Sequence, residues 1–243
     1  MSWRSPASQC RCGVVLPQGP VGGPPYDADV HQRAPLYGLD IESDTRTNGL
    51  DPARSAVIAV AVASAQGTAV FHIEAGGEPD LLQRLDTFLG SLEPGVLVTW
   101  NGGGFDLPFL SDRSAVCGVE LGLRMQSDPA LRRSEPLPGH EGGYLASWGL
   151  HGHLDGYRLY RADLGRALPV SCGLKAVARL VGMTPIEVDR GRIHELDRRQ
   201  LDAYVGSDAE LARALVARRW PAASAHVDRL PRPAPQPSHD PPT

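Results

Sequence analysis

Apolar positions in this chain fall into short blocks whose period changes along its length. In Leu36-Tyr37-Gly38-Leu39-Asp40-Ile41-Glu42-Ser43-Asp44 the pattern from Leu39 on alternates apolar with acidic, as a strand with one buried face does. The β-branched run Ala56-Val57-Ile58-Ala59-Val60-Ala61-Val62 and residues 67–73 predict two further strands across short turns, and such neighbours pair antiparallel. Over 78–92 the period lengthens: Leu81, Leu82, Leu85, Phe88, Leu89 and Leu92 follow helical spacing until Pro94-Gly95 stops it. A buried strand, 96–100, comes next, and a helix opens at Asp106. Residues 118–152 show no clear period and suggest a loop or lid. Residues 151–155 predict a short strand, followed by a helix over about 157–163. Leu174, Val177, Ala178 and Val181 mark a helix ended by Gly182, and the last helical pattern runs over 199–220. Three strands, a helix and a strand in that order predict an antiparallel section joined by a crossover helix to a parallel one. The fold class is therefore α/β, with a mixed sheet of five strands flanked by helices.

Composition narrows the class without naming a function. At 243 residues, 42% of them hydrophobic, with a formal charge of −4, the chain fits one globular domain. No stretch approaches the roughly 18 to 20 apolar residues of a membrane span, and residues 1–35 lack the apolar core of a secretory signal, so a cytoplasmic protein is expected. Residues 1–35 and 222–243 are rich in proline and aperiodic, which predicts a leader and a tail around a domain at 36–221, with 1–30 and 226–243 dispensable for folding and activity. Cys10 and Cys12 have no second ligand pair at zinc spacing, and Cys117 and Cys172 fall in apolar segments, so all four read as reduced thiols. Lys175 is the only lysine. The acidic balance offers no global attraction for nucleic acid but leaves a local one open, for which Arg113, Arg124, Arg132 and Arg133 are candidates.

Three short segments carry candidate chemistry. Asp40 and Glu42 emerge side by side from one strand face, and adjacent carboxylates repel unless a cation lies between them; hard oxygen ligands suit Mg²⁺ or Mn²⁺. A solvated strand end accounts for the same pair. The turn Asn101-Gly102-Gly103-Gly104-Phe105-Asp106 lies at the strand end where ligands gather in open α/β sheets, and its glycines let a substrate approach the backbone. Read alone, Asp106 is equally an N-cap on a Gly-rich turn. No Gly-Lys-Ser/Thr follows, which excludes a Walker-type loop. In the last helix Leu201, Tyr204, Val205, Asp208, Leu211 and Ala212 share one stripe, so an acid and a phenol stand on a buried face. An arginine or a backbone group could satisfy Asp208, with Tyr204 merely packing. His151 and His153 read as structural, because a hard-metal site has no need of imidazole.

Taken together, Asp40-Ile41-Glu42, the Asn101 to Asp106 turn and Tyr204-Val205-Gly206-Ser207-Asp208 resemble the three motifs of the DEDD superfamily of 3′–5′ exonucleases, DnaQ-like nucleases of ribonuclease H-like fold. The Tyr-x-x-x-Asp form is similar to the tyrosine subgroup, and Asn-x-x-x-Phe-Asp most resembles the exonuclease domain of family B DNA polymerases. The resemblance implies a metal-dependent 3′–5′ exonuclease that prefers single-stranded DNA and works with two divalent cations, Mg²⁺ or Mn²⁺. It implies that Asp40 bridges the two cations, Glu42 and Asp208 complete one site and Asp106 holds the other, while Tyr204 orients the attacking water. Asn101 and Phe105 would lie near the terminal nucleotide, Ser43 or Thr45 near its sugar, and Asp155 behind the metal ligands. The acidic motif departs from the family pattern in being followed by Ser43-Asp44-Thr45, where many members place Thr directly after the Glu. An exoribonuclease of the same fold, or a non-catalytic nucleic-acid-binding module, is the alternative. With no polymerase-sized extension in these residues, proofreading would call for a replication or repair protein partner; no membrane contact is implied.

Overall fold

Alternation along the acidic strand sets the layers of the molecule. The computed structural model describes residues 34–47, 50–132, 135–228 and 230; the expected leader with Cys10 and Cys12, the tail beyond residue 230, Arg133 and the Arg132 side chain lie outside them. In chain order the elements are β1 (Leu36–Ser43), β2 (Val57–Ser64), β3 (Gly67–His72), α1 (Gly77–Ser91), β4 (Val96–Thr99), α2 (Asp106–Cys117), β5 (Leu123–Arg132), β6 (Gly142–Trp148), β7 (His151–Asp155), α3 (Gly156–Ala167), α4 (Leu174–Leu180), α5 (Arg198–Arg218) and α6 (Trp220–Ala223). They build one sheet in the order β3-β2-β1-β4-β7-β6-β5, parallel through β1, β4 and β7 and antiparallel on both flanks. This is a ribonuclease H-like α/β arrangement.

β1 turns Tyr37, Leu39 and Ile41 into a core with Leu81, Leu85 and Leu89 of α1 and Leu107 and Phe109 of α2. Its other face, with Gly38, Asp40 and Glu42, meets α5. Small residues make that approach close: Ala59, Ala61 and Ala63 of β2 pack against Tyr204, Val205 and Ala209. A Cβ on Gly38 would lie 2.0 Å from the Ala209 carbonyl oxygen, so only glycine at 38 lets α5 rest on β1 beside the two acids. The start of α5 is fixed by a capping box, in which the Asp197 carboxylate accepts from the Gln200 N–H at 2.8 Å and the Gln200 side chain accepts from the Asp197 N–H at 3.0 Å.

The sheet has seven strands where the hydrophobic pattern predicts five. The two additional strands, β5 and β6, form a hairpin out of the segment expected as a loop or lid. β5 is an edge strand, and only its Leu123 and Met125 pack against the core, an apolar repeat cut short by Ser127, Asp128 and Pro129. The folded body also runs past residue 221. Residues 222–228, expected to begin the tail, form the end of α6, a 3-10 turn (Ser224–His226) and a bridge in which Asp228 pairs with His153. The prolines hide this segment because its packing rests on few apolar residues, Trp220, Ala223 and Val227. Among the described residues, no helix is long and apolar enough to cross a membrane.

Candidate active site

β4 ends at Thr99 while β1 continues to Ser43, so parallel pairing covers only Leu36 to Gly38 and leaves the acidic half of β1 without a strand on that side. The chain after β4 turns at Asn101, whose φ of 70° makes it the one non-glycine residue at positive φ among the described residues. It then passes a 3-10 turn (Gly102–Gly104) and enters α2 at Asp106. The Asp106 carboxylate accepts from its own backbone N–H and from that of Ile41, taking the place a continued β4 would have held. Two of the glycines are required by packing rather than by a ligand: a Cβ would come 2.3 Å from Thr99 Oγ1 at Gly102 and 2.7 Å from the Tyr144 carbonyl oxygen at Gly103. From the opposite face α5 presents Tyr204 and Asp208, both buried. Asp40, Glu42, Asp106 and Asp208 thus come from β1, α2 and α5 to one end of the parallel strands.

Their protonation reflects that crowding. Burial raises Asp40 well above the usual carboxylate range, and Asp106, Glu42 and Asp208 add repulsion that Arg190 partly offsets. Glu42 is pushed up to about 8, first by burial and then by Asp208, against Arg190. Asp106 rises to about 7 because burial outweighs the two N–H bonds it accepts, with Asp155 adding to the rise. Burial also raises Asp208, opposed by Lys175 and Arg190. Lys175 Nζ lies 3.3 Å from Asp208 Oδ2, 2.7 Å from the Ile186 carbonyl oxygen and 4.0 Å above the centre of the Tyr204 ring. Arg190, at the head of a 3-10 segment (Arg190–Glu195), bonds to the Tyr204 hydroxyl and faces Asp208 and Glu42. Burial, Glu42 and Asp208 together push the Tyr204 phenol above its ordinary value, so its hydroxyl stays protonated at neutral pH.

These acids hold protons more tightly folded than unfolded, so the stability they contribute is full below the ordinary carboxylate range and is lost as pH rises through about 7 to 8. The protein in EDTA is therefore expected to lose several degrees of Tm between about pH 5 and pH 8.5, and Mn²⁺ to restore most of the loss at the upper end. A Tm in EDTA that holds level across this window would contradict the crowded arrangement.

Comparison with known proteins bears on the same region. The sequence pattern of the DNA polymerase family B, exonuclease domain, matches residues 56–135. DNA polymerase 2 of Aeropyrum pernix is 30% identical over 122 residues, 48% of this chain and 14% of that protein. The catalytic subunit of DNA polymerase epsilon from Eremothecium gossypii is 35% identical over 118 residues, 46% of this chain and 5% of that protein. The structure of the family B DNA polymerase from Pyrobaculum calidifontis superposes with a TM-score of 0.61 at 24% identity, over 77% of this chain and 25% of that one. The chain resembles the exonuclease domain of family B DNA polymerases. It spans a small part of the polymerases it matches. The sequence match includes the Asn101 to Asp106 turn of this exonuclease-like domain, while Asp40, Glu42, Tyr204 and Asp208 lie outside it and are joined to that turn by the fold.

In the exonuclease-like domain Asp155 acts on the turn as well as on the charge of Asp106. Its Oδ1 accepts from the Asn101 N–H at 2.8 Å and, as the cap of α3, from the Tyr157 N–H at 3.0 Å. Phe105 is half-buried with its ring 5.5 Å from that of Phe109. Ser43 is buried at the bulge that follows Glu42. Thr45 Oγ1 meets His194 Nδ1 at 2.7 Å, a tie between the end of β1 and the segment that carries Arg190. Among the arginines considered for substrate charge, Arg113 is buried, bonded to Glu78 and to the Pro52 carbonyl oxygen, and so is committed to the core. Lys175 and Arg190 are the site residues that sequence reasoning missed. For Lys175 a signal existed, its being the only lysine; Arg190 has none, as one arginine among many.

The donors fit a hard divalent cation. They are all carboxylate oxygens, and Asp208 Oδ1 is buried without a hydrogen-bond partner. Among the described residues, no three His, Cys, Asp or Glu side chains stand close enough to make a closed metal cage. Mg²⁺ does not require one, since it takes about one or two protein carboxylates and completes its shell with water and phosphate.

Proposed function

We propose that the chain is a 3′–5′ exonuclease that hydrolyses the terminal phosphodiester of single-stranded DNA with two divalent cations, Mg²⁺ or Mn²⁺. The observation that carries this reading is the convergence of Asp40, Glu42, Asp106 and Asp208, each with its pKa raised, beside Tyr204 at the carboxyl end of the parallel strands. A binding module has no use for carboxylates that repel one another and any phosphate. When bound, the cations supply an activated water and a stabilised leaving oxygen. Asp40, which interacts with all three other acids, would be held in common by the two cations, with Glu42 and Asp208 completing the ligands of one and Asp106 those of the other. The Tyr204 hydroxyl, protonated and held by Arg190, orients the water rather than taking its proton. Asn101 and Phe105 receive the terminal nucleotide, with Ser43 and Thr45 on the sugar side, and Asp155 fixes the Asn101 backbone.

A 5′-labelled DNA oligonucleotide incubated with Mn²⁺ or Mg²⁺ is expected to shorten one nucleotide at a time from its 3′ end, and EDTA to stop the reaction. An RNA of the same sequence is expected to shorten more slowly. Faster loss of the RNA would make the chain an exoribonuclease, and retention of both strands uncut with either metal would leave a binding module. A replication or repair protein partner that brings 3′ ends to the domain belongs to the same reading.

A further inference from the structure

Away from the acids, a buried polar chain leads from the last described segment to the turn before Asp106. Beyond α6 the backbone returns to the sheet, where the Asp228 N–H donates to the His153 carbonyl oxygen at 2.7 Å and the His153 N–H to that of Asp228 at 3.1 Å. The Asp228 side chain continues the link: Oδ2 lies 3.2 Å from His153 Nδ1, and Oδ1 accepts from Arg158 at 3.2 Å. His153 is fully buried, and its Nε2 lies 2.8 Å from Thr99 Oγ1. A carboxylate only accepts, so the Asp228 contact puts the ring proton on Nδ1 and leaves Nε2 to accept from the Thr99 hydroxyl. Thr99 is the last residue of β4. Gly102 rests directly on its hydroxyl, and a Cβ on Gly103 would lie 3.8 Å from His153 Cε1. We infer that Asp228 is a positioning residue for the Asn101 to Asp106 turn, acting through His153 and Thr99. The segment after α6 thereby helps present Asn101, Phe105 and Asp106 to a 3′ end. A three-glycine turn is costly to order, and a buried relay in which the Asp228 carboxylate, both ring nitrogens of His153 and the Thr99 hydroxyl are all partnered is a rigid floor for it.

The role in presenting a 3′ end rests on the exonuclease reading; the mechanical link does not. Hydrogen exchange and steady-state cleavage of a 5′-labelled single-stranded DNA are compared in the full chain for Asp228→Ala, Thr99→Val and Asp228→Asn. Either of the first two variants is expected to speed exchange over 100–106 about tenfold while α1 keeps its protection, the size expected for one buried hydrogen bond. The KM for DNA should rise about tenfold with a smaller fall in kcat, because Asn101 and Phe105 receive the substrate while Asp106, at the far end of the turn, is also held by the Ile41 N–H. Asp228→Asn retains an oxygen for the Nδ1 proton but turns an amide N–H toward Arg158, so it should fall between alanine and wild type in both readouts. Unchanged exchange at 100–106, an equal rise in α1, or an asparagine variant no better than alanine would overturn the inference. If the wild-type protein fails to cleave DNA, the exonuclease reading falls alone, and exchange still decides whether Asp228 holds the turn.

Discussion

Asp40→Asn is expected to abolish turnover while leaving the fold standing. Burial raises Asp40 first, and all three of the other acids add to the rise, so it is the member of the cluster that interacts with each of the rest. An amide of the same size cannot serve two cations, since it carries no charge and offers one acceptor oxygen in place of two. Removing a ligand worth several kcal/mol of transition-state stabilisation corresponds to a loss on the order of 10⁴-fold in kcat, by the rule of about 1.4 kcal/mol per tenfold. Stability should move the other way. Taking one negative charge out of a repelling cluster is expected to raise the Tm in EDTA by a few degrees above about pH 7, where Glu42 and Asp106 begin to ionise. Single-turnover cleavage and a thermal melt of the same preparation check both. Near-wild-type hydrolysis would sink the two-cation reading, and a lower Tm would make Asp40 a structural residue.

The parts of the fold legible in the sequence are those whose burial leaves a period. β1, β2, β3, β4 and β7 each put apolar residues on at least one face, and α1 and α5 carry long apolar stripes, so their positions follow from spacing alone. The β5–β6 hairpin leaves only a weak trace because, of β5 at the sheet edge, just Leu123 and Met125 pack against the core; Arg124, Gln126 and Asp128 read as loop until pairing to β6 is seen. The end of the domain is obscured for another reason. Asp228 is held by polar partners, His153 and Arg158, which lie far from it in sequence, and no local pattern can announce them.

The candidate site divides along the same line. The acids, Tyr204 and the glycine turn are spaced along single elements and can be grouped by period and by order, so the sequence suffices to nominate them. What surrounds them comes from segments with weak patterns. Lys175 sits in the short α4, and Arg190 in a 3-10 stretch that no apolar repeat marks. Both bear on the charge of the cluster, since they oppose the raised pKa values of Glu42 and Asp208. Asp155, expected behind the metal ligands, spends one carboxylate oxygen on two backbone N–H groups and holds Asn101 in its left-handed turn, a role that no local pattern announces. The glycines of that turn likewise answer to Thr99 and Tyr144 before any ligand.

Asp208→Ala is expected to lower kcat on the order of 10³-fold and to weaken Mn²⁺ binding, whereas Tyr204→Phe should cost about 10²-fold and leave Mn²⁺ binding unchanged. The two residues stand one turn apart on α5 and share Lys175, yet the substitutions remove different things. Truncating Asp208 deletes a proposed metal ligand and also strips the carboxylate from an ammonium whose residue is only 8% exposed. An unpaired buried charge is destabilising, so this variant should melt earlier as well as react more slowly. Tyr204→Phe keeps the ring beneath Lys175, 4.0 Å from the ammonium, and loses only the hydroxyl that Arg190 holds. Because that hydroxyl is protonated throughout the neutral range, its removal should scale the pH–rate profile down without changing its shape. KM for DNA should hold nearly constant, since orienting the water is felt mainly in the transition state. Calorimetry with Mn²⁺ and rates measured from about pH 6 to pH 9 separate the cases. A fully active Tyr204→Phe, or one that loses Mn²⁺ as badly as Asp208→Ala, would return this face of α5 to the packing of the hydrophobic core.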